Sequence, residues 1–211
     1  MKQLFKRWIE GTALQKWIKK RKNDKKLAKW QSEGKPVPPP HIVKQLAIRN
    51  YARRFGLKIL VETGTLHGRM IEAMKDDFDR IYSIELSEEL YKKAKDRFRK
   101  ENSVELIHGD SGVELKHVIE RLDQPALFWL DGHYSSGETA RGEKDTPVFE
   151  ELKHIFDDQD RDHVIIIDDA RCFGTDPAYP TLEEVTNFVK SRRPGAGISI
   201  QDDSIRITPR P

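Results

Sequence analysis

From Leu57 to the end of the 211-residue chain, short apolar runs alternate with amphipathic segments, and this alternation constrains the fold more than any other feature. Strand-like runs are expected at Lys58–Glu62, Arg80–Glu85, Val104–His108, Ala126–Asp131 and Val164–Asp168. Between them, apolar residues recur at helical spacing. Met70, Ile71, Met74 and Phe78 mark one helix, and Leu90, Ala94 and Phe98 the next. Leu115, Val118, Ile119 and Leu122 mark a third, opened by Ser111 with Glu114 three residues later, a capping-box spacing. Thr146-Pro147 opens a fourth around Leu152, Ile155 and Phe156, with proline suited to the first helical position. Thr181 with Glu184 opens a fifth, containing Leu182, Val185, Phe188 and Val189. Gly197–Thr208 reads as two short strands around Gln201-Asp202-Asp203. Seven strands in this order predict an α/β domain with a mostly parallel sheet. Such sheets bind ligands at the carboxyl ends of their strands, beside the point where strand order reverses.

The residues before Leu57 follow other rules. Residues 1–35 carry 12 Lys/Arg and 3 Asp/Glu, a net of +9, whereas residues 36–211 carry 26 basic and 32 acidic side chains, a net of −6. The formal charge of +3 is the sum of a basic arm and an acidic body. Within residues 2–30, Leu4, Phe5, Trp8, Ile9, Leu14, Trp17, Ile18, Leu27 and Trp30 stand at helical spacing among lysines, with Gly11 as an interruption. Gly34 to Pro40 is a stiff extended stretch, and a second helical pattern runs from His41 to Phe55. The chain therefore divides into a basic helical arm at 1–35, a proline linker with a packing helix at 36–56, and the α/β domain at 57–211.

The longest apolar runs, Ala126–Leu130 and Val164–Ile167, are far below the ~20 residues a bilayer span needs. The basic N-terminus leads into no apolar core segment, so no secretory leader is expected. A single cysteine, Cys172, excludes an intrachain disulfide and a multi-cysteine zinc site, and a reducing cytoplasmic setting follows as the default. The arm has two readings besides packing on the body. Tryptophan and leucine interleaved with lysine suit an interfacial helix on an anionic membrane, placing the protein peripherally at its inner face. Binding to nucleic-acid phosphates is disfavoured by the acidic body and by the lack of a recognition motif. An oligomer stays open.

The chemistry-bearing residues follow the strand runs. The first run ends Val61-Glu62-Thr63-Gly64-Thr65-Leu66-His67-Gly68, a tight turn into a helix in which glycines let a ligand approach the backbone. The second ends at Glu85, where a carboxylate can accept hydrogen bonds from both hydroxyls of a ribose, and Asp110 follows the third. A dinucleotide fingerprint would be G-x-G-x-x-G, but here Glu62 replaces the first glycine and the remaining glycines stand four apart. A pyrophosphate would be repelled by that carboxylate, whereas a cationic ligand would tolerate it.

The pattern E-x-G-x-x-x-G, then an acid after strand two and another after strand three, resembles the class I S-adenosylmethionine-dependent methyltransferases over about Ile42–Pro209. The resemblance implies a Rossmann-like fold with a seven-stranded, mostly parallel sheet whose last strand is antiparallel. It also implies S-adenosylmethionine as cofactor. Carried over, Glu62, Thr63, Gly64, Thr65 and Gly68 would form the methionine-side loop. Glu85 and Leu86 would hold the ribose, and Asp110 and Ser111 the adenine, with Asp131 closing the set. The competing reading is structural: Gly64 and Gly68 serve the turn, and Glu85 caps the next helix.

The fourth run ends Trp129-Leu130-Asp131-Gly132-His133-Tyr134 and the fifth Ile166-Ile167-Asp168-Asp169-Ala170-Arg171. Neighbouring parallel strands would bring Asp131, Asp168 and Asp169 together, and crowded carboxylates call for a cation or a proton. Oxygen ligands suit Mg²⁺, which would orient a substrate hydroxyl and lower its pKa. Without a metal, Asp168 caps a turn and Asp169 pairs with Arg171. The arrangement resembles the metal-dependent O-methyltransferases of the catechol and macrolide-sugar types. It is also similar to small bacterial proteins with the same P-P-P-H, V-E-T-G-T, L-D-G-H-Y-S and I-D-D-A-R series.

His133, two residues past the fourth strand, suits removal of a hydroxyl proton. Asp131 and Lys144 join it as catalytic candidates, although no family lysine maps onto Asp131–Lys144. His67, Tyr134 and Arg171 rank behind them, and Cys172 reads as filling space. The resulting expectation is O-methylation of a hydroxyl on a small molecule, sugar or glycan, with Mg²⁺ assistance open. Two alternatives remain: a metal-dependent phosphoester hydrolase using Asp131, His133, Asp168 and Asp169, and a non-catalytic cofactor-binding module.

Overall fold

The computed structural model describes residues 13–132 and 146–209. Helix α1 (Ala13–Ser32) precedes α2 (His41–Phe55), and the alternating body follows: β1 (Ile59–Thr63), α3 (Arg69–Met74), β2 (Arg80–Glu85), α4 (Glu88–Phe98), β3 (Val104–His108), α5 (Ser111–Glu120), β4 (Ala126–Leu130), α6 (Val148–Asp157) and β5 (Val164–Ile167). A 3₁₀ turn at Ala170–Cys172, then α7 (Leu182–Arg192), β6 (Gly197–Gln201) and β7 (Ser204–Thr208), complete the order. The sheet runs β3-β2-β1-β4-β5-β7-β6. Strands β1 to β5 pair in parallel, and β7 is antiparallel to both β5 and β6. The predicted α/β architecture with an antiparallel last strand is the one observed. Strand order reverses between β1 and β4.

Side chains along the strands sort by the two-residue period of a β-strand. Ile59, Val61, Phe128, Leu130, Ile165 and Ile167 face one core, shared with Leu115 and Val118 of α5, Leu152 and Ile155 of α6, and Val185 and Val189 of α7. Leu60, Leu127, Trp129, Val164 and Ile166 face the other, shared with Ile48 and Ala52 of α2, Met70, Ile71 and Met74 of α3, and Ala94 and Phe98 of α4. Both faces are covered, so β1, β4 and β5 are buried at every position, and β4 and β5 are apolar throughout. Helix α2 lies against β4 and β5 and so belongs to the layer that covers the sheet.

Three local expectations are corrected. Helix α5 is capped by Asp110, whose Oδ1 accepts from the Gly112 amide at 2.8 Å, and not by Ser111. Asp110 has the extended backbone of an N-cap, while Ser111 is already helical. Pro147 stands just before α6 as its N-cap, not as its first helical residue. The first and third predicted segments are shorter than their apolar spacing suggests: Phe78 and Leu122 lie beyond α3 and α5 yet are still buried. The Thr181–Glu184 capping box is present, with the Glu184 amide donating to Thr181 Oγ1 at 3.2 Å and the Thr181 amide donating to Glu184 Oε2 at 2.7 Å.

Trp30 ties the end of α1 to the proline stretch: its indole N–H donates to the Pro36 carbonyl at 2.8 Å, and the ring is buried. Leu14 and Trp17, farther along α1, are exposed. Among the described residues, no helix is long and apolar enough to cross a membrane.

Because Ile48 is fully buried under the sheet, Ile48→Ala should cost about 2–5 kcal/mol of stability. Urea unfolding checks this. A cost near zero with an unchanged denaturant slope would mean that α2 is not part of the cooperative unit.

Candidate functional site

The end of β1 is built around a buried carboxylate. Glu62 pairs across the sheet with Ser83 on one side and Trp129 on the other. Its Oε2 accepts from Ser83 Oγ at 2.5 Å, and Ser83 Oγ is in turn 2.6 Å from Thr65 Oγ1. Burial pushes the Glu62 carboxyl up to about 8. Glu62 thus sits inside the protein beneath the loop, holding Thr65 through Ser83. Gly64 extends the ladder by donating its amide to the Ile84 carbonyl at 2.9 Å and has a left-handed φ of 83°. A Cβ at Gly64 would lie 2.4 Å from the Asp131 carbonyl oxygen, so glycine is required both by the turn and by the approach of β4. Gly68 begins α3 at φ 62°, and a Cβ there would strike the Phe98 ring at 2.4 Å. Its small size therefore serves the packing of α4.

Glu85 ends β2 with both carboxylate oxygens engaged by backbone amides. Oε2 accepts from Leu66 at 2.7 Å and Oε1 from Ser87 at 2.9 Å. The structural reading of Glu85 as the cap of α4 is corrected: the N-cap is Ser87, whose Oγ accepts from the Leu90 amide at 3.4 Å, and at this helix Glu85 holds only the Ser87 amide. A carboxylate has about four acceptor positions, so capacity for two hydroxyl donors remains. Leu86 follows in the same turn, where its carbonyl lies 3.2 Å from His108 Nε2. Asp110 uses Oδ1 for the α5 cap, leaving Oδ2 without a hydrogen bond to a described residue. Thr63 and Ser111 are buried and flank Gly132, where a Cβ would lie 3.1 Å from Thr63 Oγ1 and 3.2 Å from Ser111 Oγ.

The second part of the site lies at β4 and β5. Asp131 continues the ladder by donating its amide to the Thr63 carbonyl at 3.1 Å, and Asp168 by donating to Leu130 at 3.0 Å. Leu130 and Ile167, just before them, face the α5–α7 core, so alternation turns Asp131 and Asp168 toward the face that α2 covers. Asp131, Asp168 and Asp169 each offer an oxygen, and these lie within 4.8 Å of one another, the predicted convergence. Asp169 has a left-handed φ of 56° and is bonded at 2.8 Å by Arg171 Nη1, which also bonds Asp203. Burial, then the Asp168 charge, hold the Asp131 carboxyl well above its ordinary range. Burial pushes Asp168 up to about 6, although the Lys44 ammonium pulls the other way.

Lys44 is the residue that sequence reasoning missed. It stands in the first turn of α2, donates to Asp168 Oδ2, and lies 3.6 Å from Asp169 Oδ1. Burial works most strongly against its charge, but Asp168, with Asp131 and Asp169, lifts the ammonium above its usual range. One signal was available: Lys44 is four residues before Ile48 and eight before Ala52, at the head of the stripe that packs on the sheet. Glu151 was missed too. It interrupts the apolar face of α6 between Val148 and Ile155, is buried against Ser111 and Thr63, and is pushed up to about 7 by burial. His133, Tyr134 and Lys144 lie outside the described residues. His67 is exposed, and its carbonyl accepts from Arg97 at 2.6 Å. Cys172 is partly exposed beside the cluster, with its thiol raised by burial.

Glu62 gives the site a pH signature. Its folded value of about 8 exceeds the ordinary 4.5, so between those values the folded state keeps a proton that the unfolded chain has lost. Stability from this group is therefore lost as pH rises through that window. Glu62→Gln should raise the melting temperature relative to the parent at about pH 9 and change it little at about pH 5. Equal differences at both pH values would show that Glu62 is not a buried, protonated acid.

No family model and no curated protein matches the chain. Solved structures do. The chain is similar to the SAH-bound methyltransferase PaMTH1 of Podospora anserina, with 17% identity over 88% of each chain and a TM-score of 0.57. It is similar to the SAM-bound O-methyltransferase TomG of Streptomyces achromogenes, involved in tomaymycin synthesis, with 15% identity over 89% of each chain and a TM-score of 0.55. An SAH-bound O-methyltransferase of Bacillus cereus gives 14% identity, 88% of this chain, 90% of that one, and a TM-score of 0.57. Together with the strand order, these likenesses show that the chain has the Rossmann-like fold of the class I S-adenosylmethionine-dependent methyltransferases.

Proposed function

We propose that this protein is an S-adenosylmethionine-dependent methyltransferase that methylates a hydroxyl oxygen on a small molecule, sugar or glycan. The observation that carries the reading is the division of acids along one sheet edge. Glu85 stands beside the Gly64–Gly68 loop on one side of β1, and Asp131, Asp168 and Asp169 stand together on the other. The first group fits a nucleoside: Glu85 has acceptor capacity for ribose hydroxyls and Asp110 for an adenine amino group. Gly64 keeps the loop free of a side chain where β4 approaches. S-adenosylmethionine, when bound, supplies a methyl group on a positively charged sulfur, and an acidic rim favours that charge.

For the acceptor, the protein must align a hydroxyl and take its proton. Asp131, whose carboxyl is held above its ordinary range by burial and then by the Asp168 charge, is the described group proposed to receive that proton. His133 remains the second proposed acceptor. The three carboxylates are of the type that holds Mg²⁺, but Lys44 already bonds Asp168, so the proposed chemistry uses no metal. A phosphoester hydrolase at the same cluster would need that metal and would leave the glycine loop without a role. TomG and the Bacillus cereus protein, both O-methyltransferases, support oxygen as the methylated atom. For the arm, exposed Leu14 and Trp17 among lysines support contact with an anionic membrane.

Calorimetry tests the cofactor half. S-adenosylhomocysteine should bind the parent protein, and Glu85→Ala should weaken binding about tenfold or more, the loss expected for hydrogen bonds to a charged group. No binding by the parent, or equal binding by Glu85→Ala, would overturn the reading.

A further inference from the structure

We infer that Lys44 is the resident cation of the Asp131–Asp168–Asp169 cluster and stands in the place of a divalent metal ion, which binds there only when this ammonium is absent. The inference deepens the proposed methyltransferase reading by assigning the charge partner of its acceptor side. Three observations carry it. Lys44 reaches the cluster from a different layer of the fold: α2 covers the sheet face toward which Asp131 and Asp168 turn, and Lys44 is the first-turn residue at the head of its buried stripe. Its Nζ bonds one carboxylate and lies 3.6 Å from a second, so it spans two of the three members that could hold an ion. The pair is largely withdrawn from water, with side-chain exposures of 17% for Lys44 and 1% for Asp168.

Helix polarity adds a separate argument. A cation in the first turn of a helix faces the positive end of the helix dipole and is disfavoured there. Helix α2 has no acidic residue in its first turn and no side-chain cap. A lysine in that position needs a compensating anion from elsewhere, and Asp168 supplies it. A small divalent ion requires several oxygens in a near-octahedral shell. Lys44 Nζ already bonds Asp168 Oδ2 and lies beside Asp169, so an ion held by this cluster would meet the ammonium charge at close range. The other oxygen, Oδ1, is buried without a hydrogen-bond partner among the described residues, so this carboxylate has further acceptor capacity.

The test uses the full chain and Mn²⁺ as the probe, with bound ion read by calorimetry and by loss of the free-ion paramagnetic signal. Lys44→Met should bind Mn²⁺ at least about tenfold more tightly than the parent, a gain of about 1.4 kcal/mol. Asp168→Asn added to Lys44→Met should abolish the gain, and Lys44→Arg should keep the weak binding of the parent. Equal Mn²⁺ binding by the parent and Lys44→Met would overturn the inference. Should Lys44→Met not fold, the parent decides: tight Mn²⁺ binding that Asp168→Asn removes overturns the assignment, and weak binding unaffected by Asp168→Asn upholds it. S-adenosylhomocysteine binding is measured on the same preparations. Its absence from the parent would sink the methyltransferase reading while leaving the Mn²⁺ comparison intact.

Discussion

The parallel pairing of β1 with both β2 and β4 is the constraint on which the candidate site depends. It sets Thr63 opposite Ile84 on one side and Leu130 on the other. One residue farther along, Gly64 donates to Ile84, and Asp131 donates to Thr63. The ladder therefore continues just past the strands and carries the glycine loop against the first residue of the acidic cluster. Gly64 can lie there only without a side chain, because the Asp131 carbonyl occupies the space a Cβ would need. The cofactor side and the acceptor side are consequently joined through backbone, at the point where strand order reverses.

Charge is the second organising element. Glu62, Glu151, Asp131 and Asp168 all have carboxyls raised chiefly by burial. Buried acids of this kind persist only with protons or cations near them. Ser83 donates to Glu62, Lys44 to Asp168, and Arg171 to Asp169 and Asp203. The body's negative charge is thus placed by strand order, and part of the positive charge that answers it comes from α2. The proline stretch before α2 is in turn fastened by Trp30, so this packing helix, the linker and the end of the arm are mechanically connected to the acidic rim.

How legible the site was depended on the distance over which each feature is encoded. Glu85 was found because a carboxylate ending the second strand run has meaning within a single βαβ unit. Asp131, Asp168 and Asp169 were found because neighbouring parallel strands align their ends, although joining them required assuming that β4 and β5 pair. Ser111 was read as the cap of α5 and Asp110 was given no capping role, since both residue types can cap and only the backbone at the turn distinguishes them. Glu62 was placed at the right strand end but read as lining a loop, whereas the pleat turns its side chain inward to Ser83. Lys44 was passed over because its partner is 124 residues away and no local pattern links them.

The sequence by itself determined the alternating architecture, the closing pair of short strands and the positions of six acids after strand runs. Those properties follow from hydrophobic period and turn chemistry, which act over a few residues. Only the tertiary structure decided which acids face each other, which are buried beneath the loop, and which cation answers them. These depend on strand order and on the sheet face each pleat presents, and a helix packed across that face can bring a distant lysine to a carboxylate that no neighbouring residue neutralises.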